Sequence, residues 1–179
     1  MFEQELYQKA MKFAGEKHKN QKVPGTESNY LLHISNVAME ILASYTIDKC
    51  FDVNFAVQVA ALHDTLEDTN TDIDEINAIF GNKIAAAVSA LTKNALLPSK
   101  EERMMDSLER INRLEKEVGI VKLADRITNL QPPPKIWSKE KISNYLKQSR
   151  LISNQLKGKN DYLNKRLDLK IEAYAKILA

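Results

Sequence analysis

Residues 61–68 read Ala61-Leu62-His63-Asp64-Thr65-Leu66-Glu67-Asp68, and four of them can hold a proton or a cation. On a helix, His63 and Glu67 lie four apart and share a face, and Asp64 and Asp68 repeat the relation one step round. Three carboxylates so close repel one another, and they stay ionised together only if a cation or several hydrogen-bond donors compensate. The segment before them, Phe55 to Leu62, is largely apolar, so the cluster ends a helix expected to be buried. Two more polar residues interrupt apolar runs: His33 in Tyr30-Leu31-Leu32-His33, and Asp125 in Val121-Lys122-Leu123-Ala124-Asp125-Arg126-Ile127. A carboxylate in such a run needs a partner. Two imidazoles and two carboxylates form a nitrogen–oxygen set suited to a divalent cation, and with positions left open for water such a site is catalytic. Blander readings stand beside this one. The acidic string can be a solvated helix end, His33 a satisfied core histidine, and Asp125 the partner of Arg126 or Lys122.

The elements that must position these residues are helical. Leu6, Ala10, Phe13 and Ala14 recur at spacings of three and four, which predicts an amphipathic first helix. Residues 22–29, with Pro24 and Gly25 among small polar residues, predict a loop. A second helix is expected with Leu32, Ile34, Val37, Ala38, Ile41 and Leu42 inward. Asn54 can cap a third that runs into His63. Asp72 starts a short helix that stops at Gly81. Further helices are expected through Ile84 to Leu91, Met104 to Leu114 and Val118 to Leu130, the last ended by Pro132-Pro133-Pro134. Two long helices, around Tyr145 to Leu156 and Tyr162 to Leu178, close the chain. With no alternating strand pattern, repeat or linker, the expected fold is an all-α, single-domain irregular helical bundle over residues 1–179.

Composition supports this. The chain has 179 residues, 44% hydrophobic and 28% charged, enough for one domain with a real core. A net charge of +2 leaves no broad nucleic-acid footprint, though a local basic pocket is compatible with it. The lone Cys50 excludes an internal disulfide framework and fits a reducing compartment. The first residues lack the apolar core of a signal peptide, and the most apolar stretch, Ile84 to Leu91, falls far short of the roughly 20 residues that span a bilayer. A cytoplasmic protein without a membrane segment is expected.

The order His33, His63-Asp64, Asp125 resembles the HD-domain metal-dependent phosphohydrolases. The longer string His63 to Thr69 is similar to the hydrolase domain of RelA/SpoT proteins and of their stand-alone relatives, the small alarmone hydrolases and the metazoan SpoT homologue. Other matching stretches are His18…Gln21, Pro24-Gly25-Thr26, Tyr30…His33, Phe80-Gly81, Leu91-Thr92-Lys93, Val121 to Arg126 with Asn129-Leu130, and Trp137-Ser138 ahead of Tyr145. The similarity runs from the first helix to about Tyr162.

The resemblance implies metal ligation by His33, His63, Asp64 and Asp125, with Mn2+ as the usual ion and another divalent cation as an alternative. It implies that Glu67 and Asp68 activate or orient the attacking water. Asn129 matches a residue near the metal and the substrate ribose, and Tyr145 a nucleotide-contacting tyrosine. Lys19 and Lys22 fall where relatives carry basic residues for the pyrophosphate, although that run is thinner here. Arg126 is a further candidate for offsetting phosphate charge. The implied substrate is the small nucleotide ppGpp or pppGpp, cleaved to GDP or GTP and pyrophosphate. The alternatives are an HD-family phosphohydrolase acting on another nucleotide, such as a nucleoside monophosphate, and a non-catalytic nucleotide-binding module.

Overall fold

The computed structural model describes residues 1–178, and among them ten helices form. They are α1 (Gln4–Lys17), α2 (Leu31–Ile47), α3 (Val53–Leu62), α4 (Thr65–Asp68), α5 (Ile73–Phe80), α6 (Asn82–Leu91), α7 (Lys100–Asn112), α8 (Lys116–Asn129), α9 (Lys139–Gln155) and α10 (Asp161–Ala175). The only β feature among the described residues is an isolated antiparallel bridge, Lys22 to Asn29, which pinches the predicted loop after α1.

Two helices are buried nearly all round and form the centre. In α3 only Asn54 and Gln58 are not buried, and in α8 the run Glu117 to Ile127 is buried without a gap. α2 packs on both, α1 lies on α3, and α10 lies on α8. α5 and α6 pair, α6 leads to α7, and α9 packs on α10 and α8. The all-α bundle expected from periodicity is therefore the fold observed. Leu163 of α10 is fully buried. Leu163→Ala should cost about 2–5 kcal/mol, read as a lowered midpoint in chemical denaturation.

Several boundaries differ from expectation. Asn54 does not cap α3. Asp52 does, accepting from the Phe55 amide at 3.0 Å, while the Asn54 side chain ties down the Glu3 amide and the Met1 carbonyl. Leu32 is exposed on α2, and the inward position falls to its neighbour His33. α9 starts at Lys139, well before Tyr145, because Ser138 accepts from the Lys141 amide and caps it. The helix expected to carry Asp64 and Asp68 on one face is broken. α3 stops at Leu62, Asp64 sits at φ −101°, ψ −1°, and α4 restarts at Thr65. Thr65 Oγ1 donates to the Leu62 carbonyl at 2.6 Å and satisfies the end of α3.

The C-terminal helix is tied to the second. Arg166 on α10 donates from Nε and Nη2 to the two carboxylate oxygens of Glu40 on α2, at 2.5 and 2.6 Å. Glu40 is buried, so this fork satisfies a charge that α2 carries inside the bundle. No helix among the described residues is long and apolar enough to cross a membrane.

Candidate metal centre

Three helices deliver four side chains to one point. α2 brings His33 from its first turn, the break after α3 turns His63 and Asp64 inward, and α8 brings Asp125 from its buried face. His33 Nε2 and His63 Nε2 are 3.3 Å apart. Asp64 Oδ2 lies 3.6 Å from His33 Nε2 and 3.0 Å from His63 Nε2. Asp125 Oδ1 lies 3.5 and 3.8 Å from the same two nitrogens. The ligand atoms of His33, His63 and Asp64 are all within 4.8 Å of one another, and Asp125 joins from the side of the imidazoles. Atoms bound at 2.0–2.3 Å to one ion at tetrahedral or octahedral angles stand about 2.8–3.8 Å apart. The separations among His33, His63 and Asp64, and those from Asp125 to the two imidazoles, meet that requirement, while Asp125 stands outside the tight group formed by the other three.

The protonation chemistry agrees. His63 Nδ1–H donates to the Ala60 carbonyl at 2.7 Å, which leaves Nε2 to face the cluster with its lone pair. Two imidazole nitrogens and two carboxylates pointing at each other need a positive charge between them. Without a metal, a proton serves. Burial opposes charge on His63, but the Asp64 and Asp125 carboxylates overcome it and push His63 up to about 10. Burial and the charge on His63 push His33 down. Burial would raise both aspartates, but His63 holds Asp64 down, and Lys122 and His63 hold Asp125 down.

A surrounding set of donors orients the carboxylates. The Tyr30 hydroxyl donates to Asp64 Oδ2 at 2.5 Å. Lys122 Nζ, buried, donates to Asp125 Oδ2 at 2.9 Å, and Asn129 Nδ2 donates to Asp125 Oδ1. Lys122 is one of the two partners considered for Asp125, and the i, i+3 spacing makes the contact. Glu67 is clasped by Lys93, whose amide meets Oε2 at 3.2 Å and whose Nζ meets Oε1 at 2.5 Å. Among the described residues, Asp68 accepts only from Gln21 Nε2, at 2.9 Å. Burial, reinforced by Asp64 and Glu67, pushes the Asp68 carboxyl up against the lowering effect of that bond.

Arg126 follows Asp125 and is buried, with Nε and Nη1 lacking any partner. Its guanidinium carbon sits 4.3 Å from the centre of the Tyr145 ring. Tyr145 in turn meets the Trp137 ring edge-on, at 5.4 Å between centroids, and burial pushes its hydroxyl up to about 12. A buried guanidinium with two idle N–H groups calls for an anion. Lys19 and Lys22 are not drawn into this arrangement. Both are exposed, and Lys22 pairs with Glu27 within its own loop. Residues that sequence reasoning left without a role are Tyr30, Gln21, His18 and Lys93. Each lies in a stretch that carried the family resemblance, but their partners sit on other elements.

The HD domain family matches residues 10–156. A Danio rerio protein named guanosine-3′,5′-bis(diphosphate) 3′-pyrophosphohydrolase MESH1 is 32% identical over 160 residues, covering 87% of this chain and 86% of its own. A longer Aquifex aeolicus protein named guanosine-3′,5′-bis(diphosphate) 3′-pyrophosphohydrolase is 36% identical over 129 residues, 71% of this chain and 18% of its own. A solved structure, described as a metazoan orthologue of SpoT that hydrolyses ppGpp and plays a role in starvation responses, superposes with a TM-score of 0.81 at 24% identity and covers 97% of both chains. A match over most of its length, joined to relatives above 30% identity, makes this chain a member of the HD domain family.

Proposed function

We propose that this chain is a metal-dependent pyrophosphohydrolase that removes the 3′-diphosphate of guanosine-3′,5′-bis(diphosphate), with His33, His63, Asp64 and Asp125 as ligands and Mn2+ as the ion. The observation that carries this reading is the convergence of those four side chains, in a chain similar along most of its length to pyrophosphohydrolases of that substrate. When bound, the cation supplies Lewis acidity toward a phosphoryl oxygen and makes water a stronger acid. Two imidazoles beside two carboxylates suit Mn2+ better than Mg2+, which favours oxygen ligands and keeps several waters.

Asp68 is the better placed general base. It has one hydrogen-bond donor and a raised proton affinity, whereas both oxygens of Glu67 are engaged by Lys93. Asp68 takes a proton from the attacking water, whose oxygen bonds to the phosphorus on the 3′-oxygen as the P–O3′ bond breaks; Asp68 then returns that proton to the 3′-oxygen, and the phosphorus carrying the new oxygen is released as pyrophosphate. Glu67 anchors Lys93 beside the acidic turn. Arg126 offsets phosphate charge with its idle N–H groups, and Tyr145 supports that guanidinium with its ring face while offering its ring to the nucleoside. Asn129 holds Asp125 in register. Lys19 and Lys22, exposed on the neighbouring loop, draw the anionic substrate from longer range.

Dialysis against EDTA followed by return of single metals tests this reading. Pyrophosphate release from ppGpp should vanish on chelation and return most strongly with Mn2+. Phosphate release from nucleoside monophosphates, with no pyrophosphate from ppGpp, would overturn the substrate assignment.

A further inference from the structure

His18 is a buried histidine at the end of α1 that the hydrolytic scheme leaves unused. It has no carboxylate partner, and its Nε2 is enclosed without a hydrogen bond. Its other nitrogen, Nδ1, lies 2.6 Å from Gln21 Oε1. The far side of the same amide, Nε2, donates to Asp68 Oδ2. The direction of this chain is forced. An ionised carboxylate only accepts, so Gln21 must turn its NH2 toward Asp68. Its carbonyl oxygen then faces His18, and His18 must carry its proton on Nδ1. That leaves a bare lone pair on the enclosed Nε2 rather than an orphaned N–H.

The same imidazole touches a second acid through a different neighbour. Its ring stacks on Tyr30, with centroids 5.0 Å apart and planes 29° apart. The Tyr30 hydroxyl donates to Asp64. The backbone closes the unit, because the Gln21 amide donates to the His18 carbonyl and the Tyr30 amide to the Gln21 carbonyl, both at 2.9 Å. Each ring in the order His18, Tyr30, His33, His63 touches the next, with centroid spacings of 5.0, 5.1 and 5.3 Å, the last two pairs tilted at 41° and 47°.

We propose that His18 is a positioning residue for hydrolysis: its Nδ1–H sets the Gln21 amide that aims Asp68, while its ring backs the tyrosine that aims Asp64. This rests on Asp68 acting as the base in the reaction proposed above. Outer groups of this kind fix the rotamers of the groups that do the chemistry, and their loss typically costs about 10–100-fold in activity or metal affinity.

Three substitutions separate the hydrogen-bonding role from packing. His18→Phe keeps a ring against Tyr30 but loses the donor, and should lower kcat about 10–100-fold with KM little changed. His18→Asn returns an N–H near the position of Nδ1 and should restore part of that loss. Gln21→Leu breaks the chain at a residue that is only half buried, so it keeps the test open if His18→Phe does not fold, and it should match the His18→Phe loss. All are assayed on the full-length protein with saturating Mn2+ and ppGpp, beside thermal melts. Nitrogen NMR of the histidine rings in the metal-free protein gives an independent readout. It should show the Nδ1–H tautomer of His18 in wild type and its loss of preference in Gln21→Leu.

Wild-type kcat in both His18→Phe and Gln21→Leu overturns the proposal, as does an Nε2–H tautomer in wild type. If wild type itself releases no pyrophosphate from ppGpp, the substrate reading fails instead. The tautomer result then still decides whether the His18–Gln21–Asp68 chain exists.

Discussion

Asp64→Ala abolishes both cation binding and turnover. The carboxylate lies 3.0 Å from His63 Nε2 and 3.6 Å from His33 Nε2, so its oxygen is one wall of the space in which a cation sits. Without it, two imidazoles and one aspartate remain, and a negative charge that offset the ion is gone. Charge stabilisation by a bound metal is worth several kcal/mol in a transition state, and each 1.36 kcal/mol is tenfold in rate, so the expected loss is about 10³-fold or more. The fold should survive, because of the groups that lose Asp64 the Tyr30 hydroxyl is a single donor and His63 still faces the Asp125 carboxylate. Metal content after gel filtration, measured with pyrophosphate release and a thermal melt, checks the result. A variant that keeps one tightly held Mn2+ per chain would remove Asp64 from the ligand set.

The second large effect separates the two neighbouring acids. Asp68→Asn should retain metal and lose about 10²–10⁴-fold in kcat, the usual worth of a general base. Glu67→Gln should lose less, since it weakens the clasp on Lys93 without neutralising the base. The pH profile carries the sign. Asp68 works only when ionised, and burial has moved its carboxyl above the ordinary 3.8. Activity is therefore present above that raised value and lost as pH falls through it, and Asp68→Asn should erase this acidic limb. A larger loss in Glu67→Gln, with Asp68→Asn near wild type, would exchange the two roles.

The four convergent residues were legible because His33 and Asp125 interrupt apolar helical runs and His63 and Asp64 end one, positions that burial makes costly without compensation. The order of nine helices followed from spacing and from Gly81 and the three prolines, and the short α4 is the tenth that spacing did not separate. What failed depended on tertiary contacts. An unbroken helix through His63 and Asp68 satisfies the local pattern, yet the break at Leu62 is what turns Asp64 toward His33. Leu32 fits an amphipathic face as well as His33 does, and only the packing of α2 against α3 and α8 decides which points inward. Of the three cations named for phosphate, spacing could not tell that the loop leaves Lys19 and Lys22 in solvent while Arg126 is held inside. The Gln21–Asp68 bond joins residues separated by 47 positions, beyond the reach of any periodicity.

The fork from Arg166 to Glu40 gives the last helix a part in chemistry it never touches. α10 supplies none of the converging side chains, yet it grips the helix that presents His33, and its Tyr174 rests 6.1 Å from the Tyr145 ring. Severing that grip leaves the buried Glu40 carboxylate without its counter-charge, a cost moderated by the solvent that already reaches Arg166. This helix thus acts as a remote strut, and Arg166→Ala is expected to loosen the seat of the His33 imidazole, read as weaker metal retention.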